Sequence, residues 1–378
     1  MLYRISIAIA ALAASLGLVA CGSDDSVGGA SGEDVQVAEG GEASGELAIS
    51  NWPGYIDPGK EGTVAEFEEE TGVEVDYNED VNDNVQFFGK VRPELEQGES
   101  GGRDIFVVAD WMAKRMYDLG YLQELDEAEL PTVNENLAPQ FETSGGEGAR
   151  DYSVPWQGGL TGVWVNTEEA DDVTSVNDLF DPKYKGRVTM LSEMRDTVPL
   201  VMQADGVDVA SATKEDWLAA IDKLSEAVDS GQIRKFTGNE YTEDLTSGNV
   251  VAAIGWSGDA SLIGREGVEW RLPDEGCIYW FDNMVIPVGA PNTPAAYEWM
   301  NFVYDPEVQV DIAEWVNYVT PVAGVQPLLA KRDKELGSDE LIFPTEEFLS
   351  PCAAQPNPPG ETADVQEVEE AFQEVVAG

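Results

Sequence analysis

The 378-residue chain contains no histidine. That absence excludes Ser-His-Asp and Cys-His catalysis and any His-ligated zinc site. Basic residues are scarce as well: 21 Lys and Arg stand against 73 Asp and Glu, a formal net charge of −52. A chain this acidic repels phosphates, so nucleic acid is not an expected partner. These absences leave carboxylate-pair chemistry and oxygen-ligated calcium open. The charge itself has two readings. One is a solvated acidic surface in a saline exterior, where counterions screen self-repulsion; the other is attraction of a cationic ligand. The acids far outnumber what one ligand site needs, which favours the first. Length suggests about two domains, and 43% hydrophobic residues supply sizeable cores.

Residues 1–20 read as a targeting segment. Arg4 supplies the positive start, and Ile5 to Ala20 is apolar but shorter than the roughly 20 residues that span a bilayer. The segment ends Leu18-Val19-Ala20-Cys21-Gly22, which resembles the lipobox of bacterial lipoproteins. That resemblance implies a diacylated Cys21 as the mature N-terminus, enough for stable anchoring. An ordinary secretory signal followed by a chance cysteine is the alternative. Residues 21–45 are Gly, Ser and acidic residues with little to bury, a flexible tether.

The folded body begins near Glu46. Leu47 and Ile49 alternate as a strand that runs into Asn51-Trp52-Pro53-Gly54-Tyr55, a loop at a strand end. Val64 and Phe67 share a helix face, and Val73, Val75 and Tyr77 alternate again: strand, helix, strand, the unit of a parallel sheet. Asp104 to Val108 is a buried strand ending at Ala109-Asp110-Trp111. In open α/β sheets, ligands sit beyond the C-terminal ends of strands, where Trp52, Tyr55, Asp110 and Trp111 all fall. Asp151 to Asn166 is a Gly-rich strand suited to crossing between lobes. Val188 to Leu191 is a further strand, followed by Glu193 and Asp196. Those acids are either helix N-terminal caps or ligand groups at a strand end.

Thr213 to Val228 reads as an amphipathic helix opened by the capping box Thr213-Lys-Glu-Asp216, with Trp217, Ile221, Leu224 and Val228 on its core face. Val250 to Trp256 is a strand with Asp259 close behind. Tyr279 to Ile286 is a strand in which aromatics on both faces are broken by Asp282. A carboxylate in so apolar a strand needs a partner, because a buried unpaired charge is costly. Either Asp282 caps a turn beside a core Trp280, or aromatic faces and carboxylates form a pocket for an organic cation. Tyr297 to Val303, Val308 to Val316 and Asp364 to Val376 are helices. Cys277 and Cys352 are expected to pair outside the cell; two separate buried thiols are the alternative.

The ordered set Asn51-Trp52-Pro-Gly-Tyr55, Asp104-Ile-Phe-Val-Val108, Tyr152-Ser-Val-Pro155, Leu179-Phe-Asp-Pro-Lys-Tyr-Lys-Gly186, Ile254-Gly-Trp-Ser-Gly258 and Trp280-Phe-Asp-Asn-Met284 resembles the spermidine/putrescine-binding proteins of bacterial ABC importers. The resemblance covers about Glu46 to Tyr318. It implies an α/β, two-lobed periplasmic-binding-protein type II fold, each lobe a mainly parallel sheet flanked by helices, with the ligand cleft between them. The expected division is 46–158 plus 281–326 for one lobe and 159–280 plus 327–378 for the other. Carried over position by position, Trp52, Tyr55, Trp111, Trp256, Trp280 and Tyr318 are aromatic walls. Glu193, Asp196 and Asp282 take ammonium groups. Trp111 stands where the family has Tyr. Pro53 and Ala109 stand where it often has hydroxyls, and the family's C-terminal Gln finds no secure match. Asp110 and Asp259 are further candidate ligand acids.

The resemblance implies a monomeric extracytoplasmic binding protein with a permease partner. No cofactor, metal or catalysis is expected. The rivals are a carboxylate-pair glycoside hydrolase, a same-fold binder of another solute, and a surface adhesin. Ferric iron as that solute would want adjacent tyrosine ligands, and no Tyr-Tyr pair occurs.

Overall fold

The computed structural model describes residues 36–264 and 266–378; the targeting segment, Cys21 and part of the tether lie outside these residues. Ten strands among the described residues join in one sheet. They are β1 (Glu46–Asn51), β2 (Glu74–Glu79), β3 (Ile105–Ala109), β4 (Val154–Asn166), β5 (Val188–Leu191), β6 (Ile233–Thr237), β7 (Ala252–Trp256), β8 (Val268–Arg271), β9 (Ile278–Val285) and β10 (Ala353–Ala354). The main order is β2-β1-β3-β9-β4-β7-β5-β6, with β8 on β4 and β10 on β9.

The expected strand–helix–strand start is present. Leu47 and Ile49 are fully buried, helix Thr63–Thr71 follows, and β2 returns parallel to β1. Gly72 ends that helix in the left-handed conformation at φ 74°, where a side chain would be strained. At the other end of the sheet, β5 runs parallel to both β6 and β7. The capping box at Thr213 and Asp216 forms as expected and opens helix Lys214–Asp229, which buries Trp217, Ile221 and Leu224. Two later helices start earlier than their apolar spacing suggests, at Thr293 and Pro306. Asn292 and Asp305 cap them with side-chain hydrogen bonds, and Pro294 and Pro306 occupy the first turn, where no backbone donor is needed.

The centre of the sheet is the antiparallel pair β4 and β9. β9 pairs with β3 through Asp282–Val285. β4 pairs with β9 from Val154 to Thr161 and with β7 from Thr161 to Val165. These two strands therefore tie the β1-β2-β3 half to the β5-β6-β7 half. A bulge between Pro155 and Gln157 re-registers β4 beside Asp282.

The C-terminal segment is bound to the same centre. Cys277 and Cys352 form a disulfide, and the next residues add β10 parallel to the start of β9. Helix Val325–Arg332 packs on helix Pro306–Val316, and the last helix, Thr362–Ala377, packs on helix Lys214–Asp229. No helix among the described residues is long and apolar enough to cross a membrane.

Candidate functional site

The C-terminal ends of β1, β3, β5 and β7 meet the crossing pair at one cleft. It is lined by five aromatics from four places in the chain: Trp52 and Tyr55 in one loop, then Trp256, Trp280 and Tyr318. Glu193, Asp196, Asp259 and Asp282 line it as well. The strand pleat explains the Trp280 and Asp282 pair, since residues two apart on β9 face the same side. Phe281 between them turns to the opposite face, into a larger cavity behind the crossing strands.

The rings form a continuous wall. Trp52 meets Trp256 edge-on with centroids 5.6 Å apart. Trp256 meets Trp280 at 6.3 Å, Trp280 meets Tyr318 at 5.7 Å, and Tyr318 meets Tyr55 at 5.1 Å. Glycine makes room for this. A Cβ on Gly159 would lie 2.6 Å from Trp280, and one on Gly258 would lie 2.4 Å from Tyr318. Tyr318 is delivered by Asn317, the one described non-glycine residue with positive φ, at 55°. Reciprocal backbone hydrogen bonds between Val319 and Gly158 hold it against β4.

The acids are buried and, among the described residues, have no ion-pair partner. No Lys or Arg lines the cleft, and no ion pair involves any of the four among the described residues. Neutral donors hold three of them. Asp196 accepts from Thr161 Oγ1 at 2.9 Å, Gln355 Nε2 at 2.9 Å and Trp256 Nε1 at 3.2 Å. Asp259 accepts from the hydroxyls of Tyr241 and Tyr318, the latter at 2.6 Å. Glu193 accepts from the backbone and side-chain amides of Asn84, the latter at 2.9 Å. Glu193 stands at the helix N-cap position yet makes no capping bond; its carboxylate spans the cleft to the start of another helix instead.

Burial dominates their titration. It pushes Asp196 and Asp259 up to about 6, against the pull of their hydrogen-bond donors. Burial also raises Asp282 well above the carboxylate range; the Tyr55 hydroxyl pulls it back while Asp110 and Asp196 push it further up. Glu193 is raised by burial and then by the nearby Asp83 carboxylate. Each shift records the cost of holding a negative charge away from water with no ion-pair partner among the described residues. A cation placed among the four acids would relieve that cost.

Of the expected residues, the structure brings together Trp52, Tyr55, Glu193, Asp196, Trp256, Asp259, Trp280, Asp282 and Tyr318. Trp111 and Asp110 are not among the cleft lining. Ala109, the last residue of β3, pairs with Asp282 and faces the cleft, and the chain then turns into helix Asp110–Asp118. Trp111 lies under the Arg195 guanidinium, 3.6 Å from its ring centroid. Asp110 is engaged with Ser144 and Asn283. Pro53 and Ala109 line the cleft as the resemblance implied.

Three polar lining residues were not anticipated: Asn84, Asn239 and Gln355. Asn84 links Glu193 to the Ala109 backbone. Gln355 comes from the C-terminal segment, in which the sequence offered no ligand-contact residue. Its signal was the expected disulfide, since Cys352 pinned to Cys277 puts Gln355 beside Tyr279, with its backbone N–H donating to that carbonyl at 2.9 Å.

Residues 62–344 match the model of the bacterial extracellular solute-binding protein family. The chain is 26% identical over 336 residues to the spermidine/putrescine-binding periplasmic protein of Salmonella typhimurium, covering 88% of this chain and 92% of that one. It is 29% identical over 313 residues to the Escherichia coli putrescine-binding periplasmic protein PotF, covering 76% and 81%. Among solved structures, a putative spermidine/putrescine ABC transporter from Listeria monocytogenes superposes with a TM-score of 0.76 at 30% identity, covering 87% of this chain and 98% of that one. The substrate-binding protein PotD of Streptococcus pneumoniae does so with a TM-score of 0.69 at 26% identity, covering 88% and 98%. With three quarters of its length inside the family model and the two-lobed fold around its cleft, this chain belongs to the bacterial extracellular solute-binding proteins.

Proposed function

We propose that the protein captures a polyamine, putrescine or spermidine, outside the cytoplasm and delivers it to the permease of an ABC importer. The observation that carries this reading is the cleft itself: four buried carboxylates, five aromatic rings and, among the described residues, no basic side chain in the lining. Polyamines are methylene chains with ammonium groups at neutral pH. Ring faces cover the methylenes and attract the cations by about 0.5–2 kcal/mol per contact. Charge-assisted hydrogen bonds to Asp196, Asp282, Asp259 and Glu193 fix the charges, and their spacing selects chain length, because a misplaced ammonium stays unpaired. The names of the relatives point to the same ligands.

No bond is made or broken in this scheme. The lobes divide as 46–158 plus 281–326 and 159–280 plus 327–378, around the crossing strands. Ligand contacts from both sides favour closure, since only differential affinity shifts that equilibrium. Cys21 carries the lipid anchor, and the protein acts as a monomer.

Calorimetry of the chain from Gly22 onward with putrescine and spermidine, at low and high salt, tests this. Single-site binding that persists at high salt supports it. Weak multi-site heat that vanishes with salt means that the acidic surface merely collects cations, and the polyamine reading is then dropped.

A further inference from the structure

We infer that Trp111, Arg115, Arg195 and Glu369 form a clamp behind the cleft that positions its acids and holds the two halves of the sheet together without touching the ligand. Arg195 lies between Glu193 and Asp196 in the chain. Those two line the cleft, whereas the Arg195 side chain, 2% exposed, is engaged elsewhere. Its guanidinium stacks on Trp111, its Nε donates to Asn357 Oδ1 at 2.8 Å, and its Nη2 donates to Glu369 Oε1 at 2.7 Å. The same Glu369 oxygen accepts from Arg115 Nη2 at 2.5 Å.

The four residues come from both halves of the molecule. Trp111 and Arg115 are on the helix that follows β3, and Arg195 is on helix Met194–Ala204, which follows β5. In the sheet, β9, β4 and β7 separate β3 from β5. Glu369 belongs to the last helix, which packs on helix Lys214–Asp229 in the β5 half. The cluster therefore spans the crossing pair.

Charge makes it cooperative. Two arginines share one carboxylate, so removing Glu369 leaves two cations facing each other, one of them buried and unpaired. The arrangement also keeps the Arg195 charge out of the cleft, where it would neutralise the acids meant for a ligand. Because the backbone of Arg195 is continuous with both acids, fixing its side chain fixes the register in which Asp196 meets Thr161 and Trp256.

The test compares Glu369→Gln, Trp111→Leu and Trp111→Phe with wild type. Small-angle scattering of the ligand-free protein reads opening, and stopped-flow dissociation of putrescine reads retention. The second arm rests on the polyamine reading; the first does not. The expectation is a larger radius of gyration and about tenfold faster dissociation for Glu369→Gln and Trp111→Leu. Trp111→Phe, which keeps a ring for the guanidinium, stays near wild type. Wild-type scattering in both disrupted variants overturns the clamp, as does equal damage from Leu and Phe, which marks Trp111 as mere filling. Should Glu369→Gln fail to fold, Arg115→Gln removes one arm of the same clamp and is read in the same way. If wild type itself binds no putrescine, the polyamine reading fails, and scattering alone decides the clamp.

Discussion

The indole N–H of Trp256 donates to the carboxylate of Asp196 across 3.2 Å, inside a wall where Trp256 also meets Trp52 and Trp280 edge to face. One ring thus serves two purposes, covering apolar surface and orienting an acid. The two can be separated by substitution. Trp256→Phe keeps a ring and loses the hydrogen bond, and it is expected to weaken putrescine binding by about 1 kcal/mol, roughly fivefold. Trp256→Ala removes both and costs at least tenfold more. Calorimetry that finds Phe as damaging as Ala means that the hydrogen bond, not the ring, dominates.

Asp282→Asn tests the cost of the buried acids. The variant keeps the shape and removes a charge that burial disfavours. Putrescine affinity should fall by about 2–5 kcal/mol, while the ligand-free protein melts at a higher temperature than wild type. A variant that loses both affinity and stability would show that Asp282 already has a stabilising partner in the empty protein.

Acidification should act on binding and on folding with opposite signs. Asp196 and Asp259 titrate at about 6 in the folded, empty protein, above the ordinary carboxylate value. A folded state that holds its protons more tightly than the unfolded chain gains stability as those protons bind. Their contribution to the empty protein is therefore most favourable below about pH 4 and is lost as pH rises through about 6. A polyamine needs the ionised forms, so affinity rises from about pH 5 to 7, and binding near pH 6 releases protons. Calorimetry in buffers of different ionisation enthalpy measures that release; zero release at pH 6 contradicts the assignment.

The disulfide should matter to the ligand as well as to the fold. Cys277–Cys352 closes a loop with a sequence separation of 75, and the strand just after it carries Gln355 to Asp196. Replacing both cysteines with Ser is expected to cost about 4 kcal/mol of stability on loop-entropy grounds. Putrescine affinity falls severalfold at a temperature where the variant is still folded. Unchanged affinity there would mean that β10 holds Gln355 unaided.

Gly159→Ala probes the close packing of the rings on β4. The added Cβ would sit 2.6 Å from Trp280 and 2.9 Å from Tyr318, so both must shift. Overpacking of this kind costs roughly 1–3 kcal/mol. Because the displaced atoms are cleft walls, affinity should fall about tenfold, measured by the same calorimetry.

Much of this molecule was legible from local pattern. The alternation of Leu47 and Ile49, the capping box at Thr213 and the apolar run ending at Trp256 each fix an element through interactions between near neighbours in the chain. The acids of the cleft were legible for a related reason: Glu193, Asp196, Asp259 and Asp282 stand within or just beyond strands, where the C-terminal sheet edge collects side chains. Absence was informative too, since a chain without histidine offers a short menu of chemistry.

What the chain alone could not decide is which side each of these residues would serve. Trp111 and Asp110 follow β3 directly, and only the turn into the following helix takes them out of the cleft, one under Arg195 and the other to Ser144 and Asn283. Glu193 could have capped its own helix; packing against the start of the helix at Asn84 gave its carboxylate a better pair of donors. Gln355 enters the site through a disulfide and a two-residue strand, a contact made 159 residues away from Asp196 in sequence. Short-range order follows from the sequence because backbone preferences and side-chain alternation act over a few residues. Partners for buried polar groups are settled by the whole fold, because each carboxylate takes the donors that packing brings within reach.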